Sequence, residues 1–447
     1  MKTFLAIAVC KLICFACKLL GKNGSAAPGN VSLRICPDIL KNLSAQVKKE
    51  IFVVVGTNGK TTTTNLLADF MQTSGRVVSN RVGANMLVGV VTSFCRQASL
   101  FGKLDADYAV LEVDEASLKL VAAHLTPSHI VVTNLFRDQL DRYGEVDITA
   151  DHLKQGFALA PNATLVLNTN EPMVAQFGRE AGHPIVYYGI TQDLNTPPAS
   201  ETVFCPLCGA ALKYAYCHYA QLGKFTCTEC DFASLQPGTF ADDICFGDKT
   251  TFTLHTSGQA IDISTDYSGI YNVYNILGAV AAMQSGGGDI TCIRDILSQS
   301  KPQTGRMEKF VIDEKPVIIG LSKNPAGFNS NIAALCQDPR DKSLLLAVND
   351  NPSDGIDVSW LWDVDFESLC AQDMHQIVLS GKRAPEVSLR LKYAGIDTDK
   401  ISILDDRKEA VAKSLQAGGA ICYILANYTA MFDTHAILTQ MLKGAKS

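Results

Sequence analysis

The run Ile51-Phe-Val-Val-Val55 leads straight into Gly56-Thr-Asn-Gly-Lys-Thr-Thr62, and few folds accept that order. A short apolar, β-branched run reads as a buried strand, two glycines allow a tight turn, and Lys-Thr-Thr opens a helix. Such a turn aims backbone N–H groups and a helix N-terminus at phosphate oxygens. Gly56, Thr57, Asn58, Gly59, Lys60, Thr61 and Thr62 are therefore the expected cradle for ATP. Lys60 should neutralise the β- and γ-phosphates, and the Thr61 hydroxyl should ligate magnesium. Only Thr57 and Asn58 stand between the first glycine and the Gly-Lys pair, where the general motif has four residues.

Further apolar runs, Tyr108-Ala-Val-Leu-Glu112, His129-Ile-Val-Val-Thr133 and Ala163-Thr-Leu-Val-Leu-Asn168, alternate with helix-like stretches over 62–74 and 151–159. Alternating strands and helices imply an α/β fold with a doubly wound, mostly parallel sheet and ligands at the carboxyl ends of its strands. The expected organisation has four parts. Residues 1–45 form an amphipathic helical segment and linker, with the linker near 21–29 and a helix over 38–48. Residues 46–300 form the ATP-binding central domain, interrupted over 201–237 by a cysteine-rich module. Residues 301–447 form a Rossmann-like C-terminal α/β domain, with strands at 316–320, 343–348, 376–380 and 420–425.

Charge excludes one class of partner. With 39 basic against 45 acidic residues the net charge is −6, so the chain lacks the basic field that nucleic-acid binders use, and no nucleic acid is expected. Fifteen cysteines, an odd number scattered through a long chain, fit reduced thiols and one metal site better than a disulfide framework. A cytoplasmic setting follows. The first twenty residues are apolar, but Lys2, Lys11 and Lys18 interrupt them, unlike a secretory or spanning segment. They read as a helix with one wet edge, packed on the core or laid on the inner face of the cell membrane.

Cys205-Pro-Leu-Cys208 and Cys227-Thr-Glu-Cys230 are two C-x-x-C knuckles, eighteen residues apart, with the spacing of a four-thiolate zinc ribbon. Four thiolates leave zinc no open position, so the metal is expected to be structural; Cys217 and His218 read as packing residues between the knuckles. A redox pairing of the knuckles is the alternative. Glu112, at a strand end, is placed to reach magnesium on the loop, with Glu115 a second candidate. Asn134, Asn168, Asn272 and Asn275 stand at strand ends or helix starts, where each amide can also serve as a cap.

The order Gly-Thr-Asn-Gly-Lys-Thr-Thr, strand-Glu112, Thr133-Asn-x-x-x-Asp138, Asn168-x-x-x-Pro172, Gly269-x-x-Asn272-x-x-Asn275 and Gly305-Arg306 resembles the Mur ligases, which build the peptide of bacterial cell-wall precursors. The resemblance implies that ATP phosphorylates a substrate carboxylate and that an amine attacks the acyl phosphate. Lys60, Thr61, Glu112 and Arg306 would then handle phosphate and metal, and Asn168, Asn272 and Asn275 would sit near the adenine. Gln139 and Tyr271 stand where those ligases carry histidines. The loop begins at residue 56, leaving no room ahead of it for a uridine-nucleotide domain, so a soluble nucleotide sugar is not the expected substrate.

Lys323-Asn-Pro-Ala-Gly327 and Asn349-Asp-Asn-Pro-Ser-Asp-Gly-Ile-Asp-Val-Ser-Trp360, with the ribbon, resemble one branch of that family. That branch amidates the D-glutamate α-carboxyl of lipid II as a heterodimer with a glutaminase, GatD. The resemblance implies that Asp357 completes the partner's Cys–His pair, with Asp354 and Asp363 as rivals, and Lys323 and Asn324 are placed towards the substrate carboxylate. No Cys or Ser here sits in a nucleophile elbow, so ammonia is expected from outside. The competing readings are a folate-type polyglutamate ligase and a non-catalytic ATP-binding regulatory subunit.

Overall fold

The computed structural model describes residues 2–20, 24–81, 84–136, 146–180, 182–194, 202–302, 305–372 and 374–444. Asp138, Gln139 and Glu201 lie outside them.

Three helices open the chain: α1 (Lys2–Leu19), α2 (Ala27–Ile35) and α3 (Ile39–Ser44). The linker expected through residue 29 is in part α2. Pro28 sits in its first turn, where a missing N–H costs nothing, and Gly29 allows close approach, since a Cβ there would lie 1.9 Å from the Val88 carbonyl oxygen. The helix expected over 38–48 stops at Ser44, because Val47 already pairs with Ala106 as a strand.

The first sheet has nine strands. In chain order they are β1 (Val47–Val55), β2 (Val77–Ser79), β3 (Ala106–Glu112), β4 (His129–Val132), β5 (Thr164–Asn168), β6 (Ile185–Ile190), β9 (Thr239–Cys245), β10 (Thr250–Thr256) and β11 (Gln259–Thr265). Their spatial order is β11-β10-β9-β6-β5-β4-β1-β3-β2. From β2 to β9 all neighbours are parallel, and β10 and β11 close the edge antiparallel. β1 lies centrally between β3 and β4, and Phe52, Val53, Val54 and Val55 are fully buried, as a strand covered on both faces requires. On one face, α1 to α3 and α5 (Leu87–Gln97) join the core through Ala6, Ile7, Cys10, Leu40 and Val91. On the other, α4 (Lys60–Gln72) and the helix Ile270–Ser285 pack together on Phe52 and Val54.

Between β6 and β9 the chain leaves the sheet for the antiparallel hairpin β7 (Leu212–Tyr219) and β8 (Leu222–Cys227), a separate two-stranded sheet. The second large sheet has six strands: β12 (Arg306–Ile312), β13 (Lys315–Leu321), β14 (Lys342–Ala347), β15 (Met374–Ser380), β16 (Ile401–Ile403) and β17 (Ile421–Ala426). Their order is β12-β13-β17-β14-β15-β16, parallel except for the β12/β13 hairpin, with helices and separate apolar clusters on both faces.

Candidate active site

Gly56 and Gly59 adopt φ of +121° and +86°, the region that favours glycine. Space is as restrictive as backbone angle: a Cβ would lie 2.2 Å from Thr133 Oγ1 at Gly56 and 2.0 Å from Asn275 Oδ1 at Gly59. The loop after β4 grips the turn. The Thr57 N–H donates to the Asn134 carbonyl (2.8 Å), the Asn58 N–H donates to Asn134 Oδ1 (2.9 Å), and both Thr133 Oγ1 and Asn134 Nδ2 donate to the Asn58 carbonyl. Lys60 is the first residue of α4, with Thr61 half-buried and Thr62 buried behind it.

The closest acid to Lys60 is Glu115. Its Oε1 accepts from Lys60 Nζ at 2.8 Å and from the Gly56 N–H at 3.0 Å, and both side chains are nearly buried. Burial works against the Lys60 charge, but Glu115 foremost, then Glu112 and Asp114, more than offset it, so the ammonium titrates above its ordinary value. Glu112, also buried, ends β3 and accepts from Asn85 Nδ2 at 3.3 Å, while Asn80 clasps its backbone N–H and C=O. Sequence order ranked Glu112 first; geometry gives Glu115 the direct contact with the loop, because the chain turns at Asp114 and presents the next side chain to it.

The asparagines do different work. Asn275, against Gly59, meets Thr63 Oγ1 through its carbonyl (3.4 Å) and side-chain oxygen (3.5 Å), and its Nδ2 donates to Asn272 Oδ1. Asn272 in turn donates to the Ser268 carbonyl. Asn168 is fully buried, donating to the Thr133 carbonyl and accepting from the Asn170 N–H. It holds the gripping loop from behind. Arg306 opens β12, and its charge pulls against the burial that pushes the Tyr271 and Tyr267 hydroxyls up. The second sheet also reaches the loop: Asn324 caps its own helix through the Gly327 N–H (2.8 Å), and its Nδ2 meets Asn58 Oδ1 at 3.4 Å.

The four cysteines converge. The sulfurs of Cys205, Cys208, Cys227 and Cys230 all lie within 4.8 Å of one another, with 3.8 Å between Cys205 and Cys230 and 3.4 Å between Cys208 and Cys227. A tetrahedral zinc ion with Zn–S of about 2.3 Å spaces its sulfurs at about 3.8 Å. The donor set therefore fits zinc, and all four are free thiols rather than disulfide partners. The Glu229 N–H directed at Cys227 favours its thiolate. Cys217 donates to the Ala220 carbonyl, and buried His218 bridges the Tyr274 hydroxyl (2.6 Å) and the Gln192 carbonyl (2.8 Å); burial lowers its pKa to about 4.

The β7/β8 hairpin is tied to the phosphate loop by residues that none of the sequence motifs specifies. At its tip, Gln221 Nε2 donates to the Leu135 carbonyl (3.1 Å) and to Glu171 Oε1. Leu135 adjoins Asn134, the residue that grips the loop. Gly223 and Asn170 exchange two hydrogen bonds, and Tyr219 packs on Phe136. Glu171 is buried, and desolvation raises its pKa to about 7 although Gln221 and the Met173 and Val174 N–H groups oppose the rise. A lone glutamine at a hairpin tip carries no local signature, so only the fold reveals this strut.

The three candidate acids after β14, Asp354, Asp357 and Asp363, separate by burial. Asp354 is turned inward, accepting from the Thr429 N–H and hydroxyl at 2.7 and 2.6 Å. Asp357 and Asp363 are exposed, and Asp357 Oδ1 accepts from the Ser359 N–H at 2.8 Å. Around them Ile356, Trp362 and Tyr393 are largely exposed, Trp362 and Tyr393 edge to face.

A parallel sheet that brings a phosphate loop, a Thr-Asn loop and an asparagine-bearing helix together, with a second α/β sheet touching the same loop, defines a Mur-type ligase. Residues 54–203 match the Mur ligase middle domain and residues 321–431 the MurT ligase C-terminal domain. The lipid II isoglutaminyl synthase (glutamine-hydrolyzing) subunit MurT of Staphylococcus aureus (strain COL) is 33% identical over 100% of both chains. Among solved structures, a pseudomurein peptide ligase type C from Methanothermus fervidus aligns at TM-score 0.70 and 25% identity, over 88% of this chain and 79% of that one. The MurF ligase of Thermotoga maritima, solved in complex with ADP, aligns at TM-score 0.65 and 13% identity over 92% and 84%, a likeness of fold alone. The chain belongs to the MurT family of Mur ligases and is an ATP-dependent ligase.

Proposed function

We propose that this chain converts the D-glutamate α-carboxyl of the lipid II stem peptide to the amide of D-isoglutamine, using ATP and ammonia released by a partner glutaminase of the GatD kind. The observation that carries the reading is the full-length likeness to a MurT subunit, whose name specifies glutamine hydrolysis and a lipid II substrate. Lys60, the loop N–H groups and Arg306 hold the triphosphate. A substrate carboxylate oxygen attacks the γ-phosphorus and ADP leaves; ammonia then adds to the acyl carbon, phosphate departs with the former carboxyl oxygen, and a proton is released. The work of the site is to hold charge on the transferring group in a dry, preorganised pocket. Thr61 and Glu112, with Glu115 alongside, would hold magnesium, which when bound spreads the phosphate charge. Asn272 and Asn275 frame the adenine side, and zinc in the four-thiolate cluster is structural.

Asp357 is the residue proposed to orient the partner's histidine across a heterodimer interface. Its exposure beside Ile356 and Trp362 supports that role over Asp354, whose carboxylate is spent on Thr429. A lipid-linked substrate together with ATP as co-substrate supports a reaction in the cytoplasm at the inner face of the membrane. The test is stoichiometry: with lipid II, glutamine and the co-purified glutaminase, ADP and phosphate should appear in step with the amide. Glutamate addition in place of amidation would favour a folate-type ligase, and ATP binding without turnover a regulatory subunit.

A further inference from the structure

The face of α1 turned away from the protein is strongly apolar. At about 100° per residue, the buried Ala6, Ile7 and Cys10 point to one side, and Phe4, Leu5, Leu12, Phe15 and Leu19 occupy an arc of about 100° on the other. These five are 44, 51, 66, 61 and 72% exposed. A surface helix ordinarily turns its charges outward. Here the lysines stand at the margins of the apolar arc instead, Lys11 and Lys18 along one edge and Lys2 along the other. The patch continues off the helix: Phe101, 89% exposed in the turn after α5, lies 6.0 Å ring to ring from Phe4. No acidic residue precedes Asp38.

We propose that this face docks on an anionic lipid bilayer, with α1 lying in the interface plane and the Phe101 turn inserted beside it. The geometry alone carries this; the lipid-linked substrate proposed above only gives the docking its use. Lys11 donates to the Arg96 carbonyl, but exposed Lys2 and Lys18 flank the apolar arc as headgroup phosphates flank acyl chains. A second copy of the chain would instead oppose lysine to lysine across the contact. Among the described residues no helix is long and apolar enough to cross a membrane.

The test is flotation of the full chain with its partner on vesicles of phosphatidylglycerol and phosphatidylcholine that contain no lipid II. Wild type should float, and pure phosphatidylcholine should hold it far more weakly. Lys2→Gln with Lys18→Gln should weaken binding roughly 25-fold, taking about fivefold per lysine near an anionic surface. Leu12→Glu with Phe15→Glu should abolish flotation at an unchanged thermal midpoint, because both side chains already face outward. Should that variant misfold, Phe101→Ser, outside the helix, should still lower binding several-fold. Wild type left at the bottom of the gradient, equal binding to neutral vesicles, or undiminished flotation of the variants overturns the proposal. So does a dimer that Leu12→Glu dissociates while wild type ignores vesicles. Flotation without amidation in detergent would count against the reaction and for the docking.

Discussion

Replacing Gln221 with leucine removes one amide at the hairpin tip and nothing from the phosphate loop itself, yet it should weaken ATP. Gln221 Nε2 serves two buried acceptors, the Leu135 carbonyl and Glu171 Oε1. Depriving a buried acceptor of its donor costs about 1–3 kcal/mol. The segment best able to relieve that cost is 133–136, which holds Thr57 and Asn58 through Asn134. If the relief is taken there, ATP binding loses the same energy, and KM for ATP should rise roughly 5- to 150-fold. Zinc content should stay at wild type, since the four thiolates are untouched, and kcat at saturating ATP should fall far less than KM rises. Steady-state amidation over a range of ATP, with a zinc assay on the same preparation, reads all three. A lower thermal midpoint with KM for ATP within twofold of wild type would refute the strut.

Glu171→Gln tests the same junction through pH. The folded carboxyl titrates near 7 against 4.5 for the free group, so the unfolded chain sheds its proton first, and the contribution of Glu171 to wild-type stability falls as pH rises from 4.5 to 7. The loss is on the order of 3 kcal/mol above pH 7. An amide does not ionise, so the thermal midpoint of the variant relative to wild type should climb between pH 5 and pH 8; a constant difference would contradict the buried acid. Cys227→Ser should release zinc and raise KM for ATP together, since the ribbon delivers His218 and Gln221 to the core; zinc loss with unchanged KM would show the ribbon to be independent of the nucleotide site. Asp357→Asn should abolish glutamine-dependent amidation and spare the reaction with added ammonium, and equal loss with both nitrogen sources would rule out its assigned role.

Much of the fold was legible because the signals were local. The Ile51–Val55 run, the two glycines and Lys60 determine a strand, a turn and a helix within a dozen residues, and two C-x-x-C knuckles meet in space as their spacing suggests. What was hidden depended on neighbours far along the chain. Pro28-Gly29 looks like a linker until α5 lies against it, and Val47 looks helical until Ala106 pairs with it. Glu115 rather than Glu112 reaches Lys60 because of a backbone turn that no residue-type pattern encodes. Asn168 also ties the Thr133 carbonyl to the Asn170 N–H, two bonds that its place at a strand end does not reveal. Gln221 and Glu171 were invisible for the same reason: their roles come from a contact fifty positions apart.

Lys60 and the loop amides are proposed to position ATP so that its terminal phosphoryl group passes to a substrate carboxylate. Labelling both oxygens of the D-glutamate α-carboxyl with heavy oxygen tests this directly. Each phosphate released should carry a labelled oxygen, and Lys60→Ala should lower the rate of this transfer by about a hundredfold or more, the usual cost of removing one charge-stabilising donor. Phosphate free of label while the amide accumulates, or transfer undiminished in Lys60→Ala, would contradict it.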